Sequence, residues 1–171
     1  MIKFNESNAE SICVTDINPK TVLNIEHNIK LNEEKNPSFN PSRNRVKAQT
    51  INWDDVSTWP KKKVDYILGS DLIYQSSIVP LLTKVIRGLL SDHGSFFYVA
   101  PEGGRDGLEQ FINEMKSESK GSDSFFVEVI EKIAPPEYVT NPLKSQDEED
   151  CFLHFHELAS TTYILYEFKR N

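Results

Sequence analysis

Glycine is absent from the first 68 residues of this 171-residue chain, and the first of its seven glycines is Gly69. Loops that cradle phosphates or dinucleotides need glycine for close backbone approach. No Gly-x-Gly-x-x-Gly occurs anywhere, which argues against a nicotinamide-dependent oxidoreductase. Cysteine is nearly absent too. Cys13 and Cys151 form no Cys-x-x-Cys pair and no disulfide framework, so a reducing compartment is expected. No apolar run approaches the roughly 20 residues needed to cross a bilayer, so no membrane association is expected. Met1–Glu6 carries no apolar region and no cleavage pattern, so a cytoplasmic location, or a nuclear one, is the expectation. Basic residues are in deficit, with 19 Lys and Arg against 26 Asp and Glu and a formal net charge of −7. Such a surface repels phosphate backbones, so no nucleic-acid partner is expected, and a basic protein or peptide fits the sign better.

What remains reads as one α/β domain over residues 1–171. Ser11–Thr15 is a short β-branched run around Cys13 and reads as a buried strand ending at Asp16. Asn18 then suits a helix N-cap and Pro19 the first helical position. Val22, Ile25 and Ile29 recur at helical spacing, which predicts a helix to about Asn32. Glu33–Arg45 is polar, rich in Asn, Pro and Ser, and reads as a surface insertion. Strands are predicted at Val46–Ile51, Val64–Leu68, Ser95–Ala100, Phe125–Ile133 and Thr161–Phe168. Helices are predicted at Ser77–Leu90 and Gly107–Ser117, with a turn at Asp92-His93-Gly94 and a loop flanked by Pro135-Pro136. Strand–helix alternation of this kind predicts a mostly parallel sheet with helices on both faces. The last two strands lack a helix between them, which predicts an antiparallel pair at one edge.

Ligands of open α/β sheets bind at the carboxyl ends of the strands, and three strand ends here carry suitable groups. Asp16 could accept hydrogen bonds from vicinal ribose hydroxyls, or it could belong to the helix start. Asn52-Trp53 offers an amide and an indole to a flat purine, or a turn residue and a core residue. Gly69-Ser70-Asp71-Leu72-Ile73-Tyr74 places a carboxylate and a phenol three residues apart. That pair could orient an incoming amine, or be a capping Asp followed by a packed Tyr.

The order of these three strand ends resembles the class I, seven-strand methyltransferases, and more narrowly their protein-lysine branch. Thr15-Asp16, Leu23, Asn28 and Asn32 match that branch's pattern around its second strand. Trp53 matches the next strand end, where Asn52 departs from the usual Asp. Asp71 to Tyr74 matches an Asp-x-x-Tyr motif. The likeness runs from about Ser11 to Phe111 and implies a Rossmann-like sheet. It implies S-adenosylmethionine as cofactor, with Asp16 at the ribose, Ile17 against the adenine, Asn52 and Trp53 in the adenine region, and Ser70 at the methionine end. Asp71 and Tyr74 would form the site for a substrate lysine on a protein partner. No metal is implied. One departure stands out. Such enzymes begin with a strand and a glycine-rich loop ahead of the Asp strand, and only ten residues, none of them glycine, precede Ser11. The expectation is therefore a sheet lacking its first, central strand, through truncation, completion by a companion chain, or direct closure.

Three other features carry less. His154 and His156, with Cys151 nearby, lack a second cluster to complete a metal site. Gly103-Gly104-Arg105-Asp106-Gly107 lacks the P-loop ending and reads as a flexible loop near the substrate mouth. Glu148-Glu149-Asp150 reads as a solvated run. Two rivals to lysine methylation remain at this point: a small-molecule methyltransferase, and a non-catalytic Rossmann-like domain that binds a partner protein.

Overall fold

A computed structural model of the chain describes residues 9–35, 45–117, 124–133 and 161–170. Most of the expected insertion (36–44), the Pro135-Pro136 loop, the acidic run, Cys151, His154, His156 and Met1–Glu6 lie outside the described residues. Contacts cluster into two compact units, Met1–Trp59 and Pro60–Asn171.

The first unit is a β-α-β segment. Strand β1 (Ser11–Asp16) leads into helix α1 (Pro19–Lys35), which returns to strand β2 (Arg45–Thr50). The two strands pair in parallel, Ile12 opposite Val46 and Val14 opposite Ala48. The helix starts where the sequence predicts it. The Asn18 Oδ1 accepts the Lys20 N–H at 2.9 Å, satisfying one of the donors a helix start leaves open, with Pro19 in the first position. It runs three residues beyond Asn32 to Lys35. Asn28 and Asn32 do not end it, because each side-chain amide donates to the carbonyl four residues back, Asn24 and Asn28 respectively.

The second unit holds a four-stranded sheet in the order β3-β4-β6-β5, made of β3 (Val64–Ser70), β4 (Leu90–Pro101), β5 (Phe125–Ile133) and β6 (Tyr163–Arg170). β3 and β4 are parallel. β6 runs antiparallel to both β4 and β5, so β3, β4 and β5 share one direction. The expected antiparallel pair of last strands is present. Its arrangement is specific: the last strand enters between β4 and β5, leaving β5 at the edge. Helices α2 (Val79–Leu89) and α3 (Leu108–Lys116) connect the first three of these strands. Among the described residues β1 pairs only with β2, and β3 only with β4.

Two boundaries differ from the sequence reading. A 3-10 turn over Ser76–Ile78 precedes α2, and Asp92-His93-Gly94 is not a turn but part of β4. Leu90 already pairs with Val64, and the next partners are Tyr66 and Ser95. The three residues in question are thus absorbed as a bulge. Gly94 permits it, since a Cβ there would lie 2.8 Å from the Asp65 carbonyl oxygen.

Alternation along β4 sends Phe96, Tyr98 and Ala100 to one face, where all three are fully buried. Phe111 of α3 packs edge-on against Phe96 and tilts onto Phe168 of β6, with ring centroids 6.2 and 5.2 Å away. Leu82, Val85 and Ile86 of α2 and Met115 of α3 complete this core. Both helices of the unit lie on that face, α2 beside α3. On the other face Tyr66 and Leu68 remain 69% and 67% exposed.

Candidate functional site

The carboxyl ends of β3 and β4 carry a dense set of polar contacts. β3 ends at Ser70, which is exposed. Asp71 then donates its N–H to the Val99 carbonyl of β4 at 2.8 Å. Its φ of +48° lies in the left-handed region. A side chain adopts that region only where the surroundings hold it, and such residues concentrate at functional sites.

Four contacts do the holding. The buried Tyr98 hydroxyl accepts the N–H groups of Leu72 and Ile73 at 3.1 and 3.2 Å, fixing the segment after Asp71. Burial pushes the Tyr98 phenol above its usual pKa, opposed by those two backbone donors, so it remains a neutral acceptor. The Asp106 carboxylate accepts the Ser76 N–H at 3.1 Å. Gly107, at φ +99°, lies so close to Ser76 that a Cβ there would approach its Cα to 2.7 Å. Finally, Arg105 grips Asp71 with both prongs of its guanidinium. Nε donates to Oδ1 and Nη2 to Oδ2, each at 2.6 Å. This is the bidentate geometry that makes arginine–carboxylate pairs strong. The carboxylate in turn holds the Arg105 pKa above its ordinary value.

Tyr74 sits across the same carboxylate. Its hydroxyl donates to Asp71 Oδ2 over a long 3.4 Å, and the Arg105 guanidinium lies 5.0 Å from its ring centroid. The structure therefore brings Asp71 and Tyr74 together, as the tetrapeptide spacing predicts, and adds Arg105, which the sequence reading assigned no role. Tyr98 was missed as well. The inward alternation of Phe96 and Tyr98 was the available signal, because a buried tyrosine hydroxyl generally finds a partner.

The other sequence-selected residues lie in the first unit. Asp16 ends β1, half-buried, with Oδ1 accepting the Asn18 N–H at 2.7 Å. Ile17 beside it is 61% exposed. Asn52 follows β2 and organises a turn. Its Oδ1 accepts from Asp54 N, while its backbone carbonyl accepts the Trp59 indole N–H at 2.8 Å. Trp53 is half-buried next to it. A carboxylate with a second oxygen, an exposed aliphatic side chain and a half-buried indole are chemically suited to a ribose diol and a flat purine. Among the described residues no group of three or more His, Cys, Asp or Glu could hold a metal ion. No helix there is long and apolar enough to cross a membrane.

Parallel strands joined by helices, an inserted antiparallel strand and polar groups at the strand ends define a Rossmann-like methyltransferase fold. The StiE O-MT segment spanning residues 961–1257 of its own protein superposes with a TM-score of 0.55 at 12% identity, covering 94% of this chain and 59% of that one. A protein provisionally named an rRNA-methylase from Clostridium thermocellum gives 0.51 at 15% identity, covering 94% of this chain and 75% of that one. The chain thus spans about three-fifths of the first of these structures. The model of a family described as lysine methyltransferase matches residues 1–118, and the chain belongs to that family. No curated protein matches it in sequence.

Proposed function

We propose that this chain is the S-adenosylmethionine-dependent methyltransferase part of a protein-lysine N-methyltransferase, acting in the cytoplasm or nucleus. The observation that carries this reading is the convergence of Asp71 and Tyr74 at the end of β3. The two groups are held on a strained, heavily pinned backbone, in a family whose members are described as lysine methyltransferases.

S-adenosylmethionine supplies a methyl group on a positively charged sulfur. Its ribose would be met by Asp16, and its adenine by Ile17, Asn52 and Trp53. The Asp71 carboxylate accepts hydrogen bonds from the lysine nitrogen and orients its lone pair. The Tyr74 ring covers the amine and limits its hydration. The nitrogen must first lose a proton to water, because only the neutral amine has a lone pair to offer. The cofactor would supply its sulfonium methyl group to that lone pair and would itself be released as a neutral thioether. Alignment supplies most of the acceleration in such a transfer.

Calorimetric titration with S-adenosylhomocysteine tests the cofactor half. Micromolar binding that Asp16→Ala weakens about tenfold or more supports the reading, since two hydrogen bonds to a charged acceptor are worth at least that. Unchanged affinity in Asp16→Ala removes the ribose assignment. Transfer of a labelled methyl group to lysine-bearing proteins tests the other half. Asp71→Ala is expected to abolish it, and retained activity in that variant would remove Asp71 from the site.

A further inference from the structure

The Asp71–Tyr74 pair already holds a cation. Arg105 makes both of its 2.6 Å bonds to the two carboxylate oxygens and lies over the Tyr74 ring at 5.0 Å. A carboxylate below and an aromatic face beside are the two features that would recognise a substrate ammonium. We infer that Arg105 is a built-in competitor for the amine site, a latch that occupies the place of the substrate's cationic group and must withdraw before a lysine side chain can enter. This inference rests on the reading of Asp71 and Tyr74 as the amine site.

The surrounding loop is built for such a withdrawal. Gly103 and Gly104 precede Arg105, and a Cβ on either would meet nothing within 4 Å. Gly104 has a φ of +76°, so the chain can re-orient there without steric cost to a side chain. The far end of the loop is fixed by Asp106 on Ser76 N and by Gly107 packed against Ser76 and Val79. Motion is thereby confined to residues 103–105, and the backbone that carries Asp71 keeps its Tyr98 anchor. The Arg105 and Asp71 side chains retain 27% and 25% exposure, so water and an incoming cation can reach the pair.

The consequence is selective. A neutral or bulky group offers nothing to displace the guanidinium, whereas a compact ammonium can take over the carboxylate. A latch closed in about nine-tenths of molecules lowers the apparent affinity for that ammonium about tenfold.

The test uses the full chain labelled with 15N and titrated with Nα-acetyl-lysine methylamide. The Arg105 Nε–H resonance reports the latch directly, and it is expected to move toward the position of an unpaired arginine as the probe binds. Arg105→Gln is expected to bind the probe about tenfold more tightly, and Arg105→Lys, which keeps a charge without the fork, to fall between. Asp71→Asn should lose the probe whatever stands at 105. Equal or weaker binding by Arg105→Gln, with the probe still dependent on Asp71, overturns the latch and leaves the amine site standing. No binding by either the parent chain or Arg105→Gln overturns the amine site itself.

Discussion

The two units bury their side chains very differently. Among the described residues the first unit buries two hydrophobic side chains, Val22 and Ile51, and neither below 5% exposure. The second buries fifteen, nine of them at no measurable exposure: Ile73, Val79, Leu90, Phe96, Tyr98, Ala100, Phe111, Met115 and Phe168. Strand composition contributes, since β2 reads Arg-Val-Lys-Ala-Gln-Thr whereas β4 carries Phe96, Phe97 and Tyr98, and so does layering. Two parallel strands and one helix enclose almost no volume, while four strands under two helices enclose an aromatic core. The consequence for function is a division of labour. The groups read as cofactor-facing, Asp16, Ile17, Asn52 and Trp53, stand on the thinly packed unit. The strained, four-way-pinned Asp71 stands on the unit with enough packing to hold it.

The largest expected effect sharpens this contrast. Phe111→Ala removes a fully buried ring in contact with Phe96, Tyr98 and Phe168, and should cost about 3–5 kcal/mol. Val22→Ala removes two methyl groups from a site already 8% exposed, and should cost about 1–2 kcal/mol. Urea unfolding of both variants measures the difference. Equal losses would show that the first unit is packed as firmly as the second and would end the comparison.

A smaller effect separates packing from site geometry. Tyr98→Phe keeps the ring in the core but removes the acceptor for Leu72 N and Ile73 N. Stability should fall by about 1–2 kcal/mol, the cost of leaving those donors unpaired. Amide exchange should accelerate at 72 and 73 in particular. Methyl transfer should fall on the order of tenfold, because the Asp71 carboxylate loses its alignment. An unchanged exchange rate at these two amides would show that Arg105 and Asp106 alone hold the segment.

Much of this was legible in the sequence, for physical reasons that can be named. The Asn18-Pro19 start of α1 is a local signal, since both residues act within one turn. The apolar spacing of Leu82, Val85 and Ile86 marks α2 as a helix with one buried side. Asp71 and Tyr74 meet because three residues separate them. The β4 bulge was not legible, because Asp92-His93-Gly94 has turn chemistry and only the pairing of Leu90 and Ser95 with β3 on either side of it keeps it in the strand. Arg105 was not legible as a site residue either. Its partner lies 34 positions away, and nothing within the glycine-rich loop announces which carboxylate its arginine will meet. Asn52 carried two readings, and its side-chain oxygen shows it at work as a turn former.

The smallest effect contrasts the two units by pH. In the second unit, the hydrogen bond from Lys63 to the exposed Asp92 lowers the carboxyl pKa from its ordinary value, aided by the Lys63 charge. A depressed carboxyl pKa means the charged form is favoured in the fold. Its contribution is complete above the unfolded value and is lost as pH falls through the folded one. In the first unit, burial raises the Cys13 thiol pKa above its ordinary value, partly opposed by Lys47. A raised pKa works at the other end: its contribution is complete below the unfolded value and is lost as pH rises through the folded one. Alkaline pH should thus weigh on the first unit through Cys13, while the exposed Asp92–Lys63 pair, screened by solvent, adds little at acid pH. The Cys13 alkylation rate against pH, measured with Cys151→Ser in place, should show a midpoint above that of the unfolded chain. Lys47→Met should move it higher still, because the nearby charge that favours the thiolate is gone. A midpoint at the unfolded value would mean that water reaches Cys13 freely, and that the first unit lacks even the thin burial described for it.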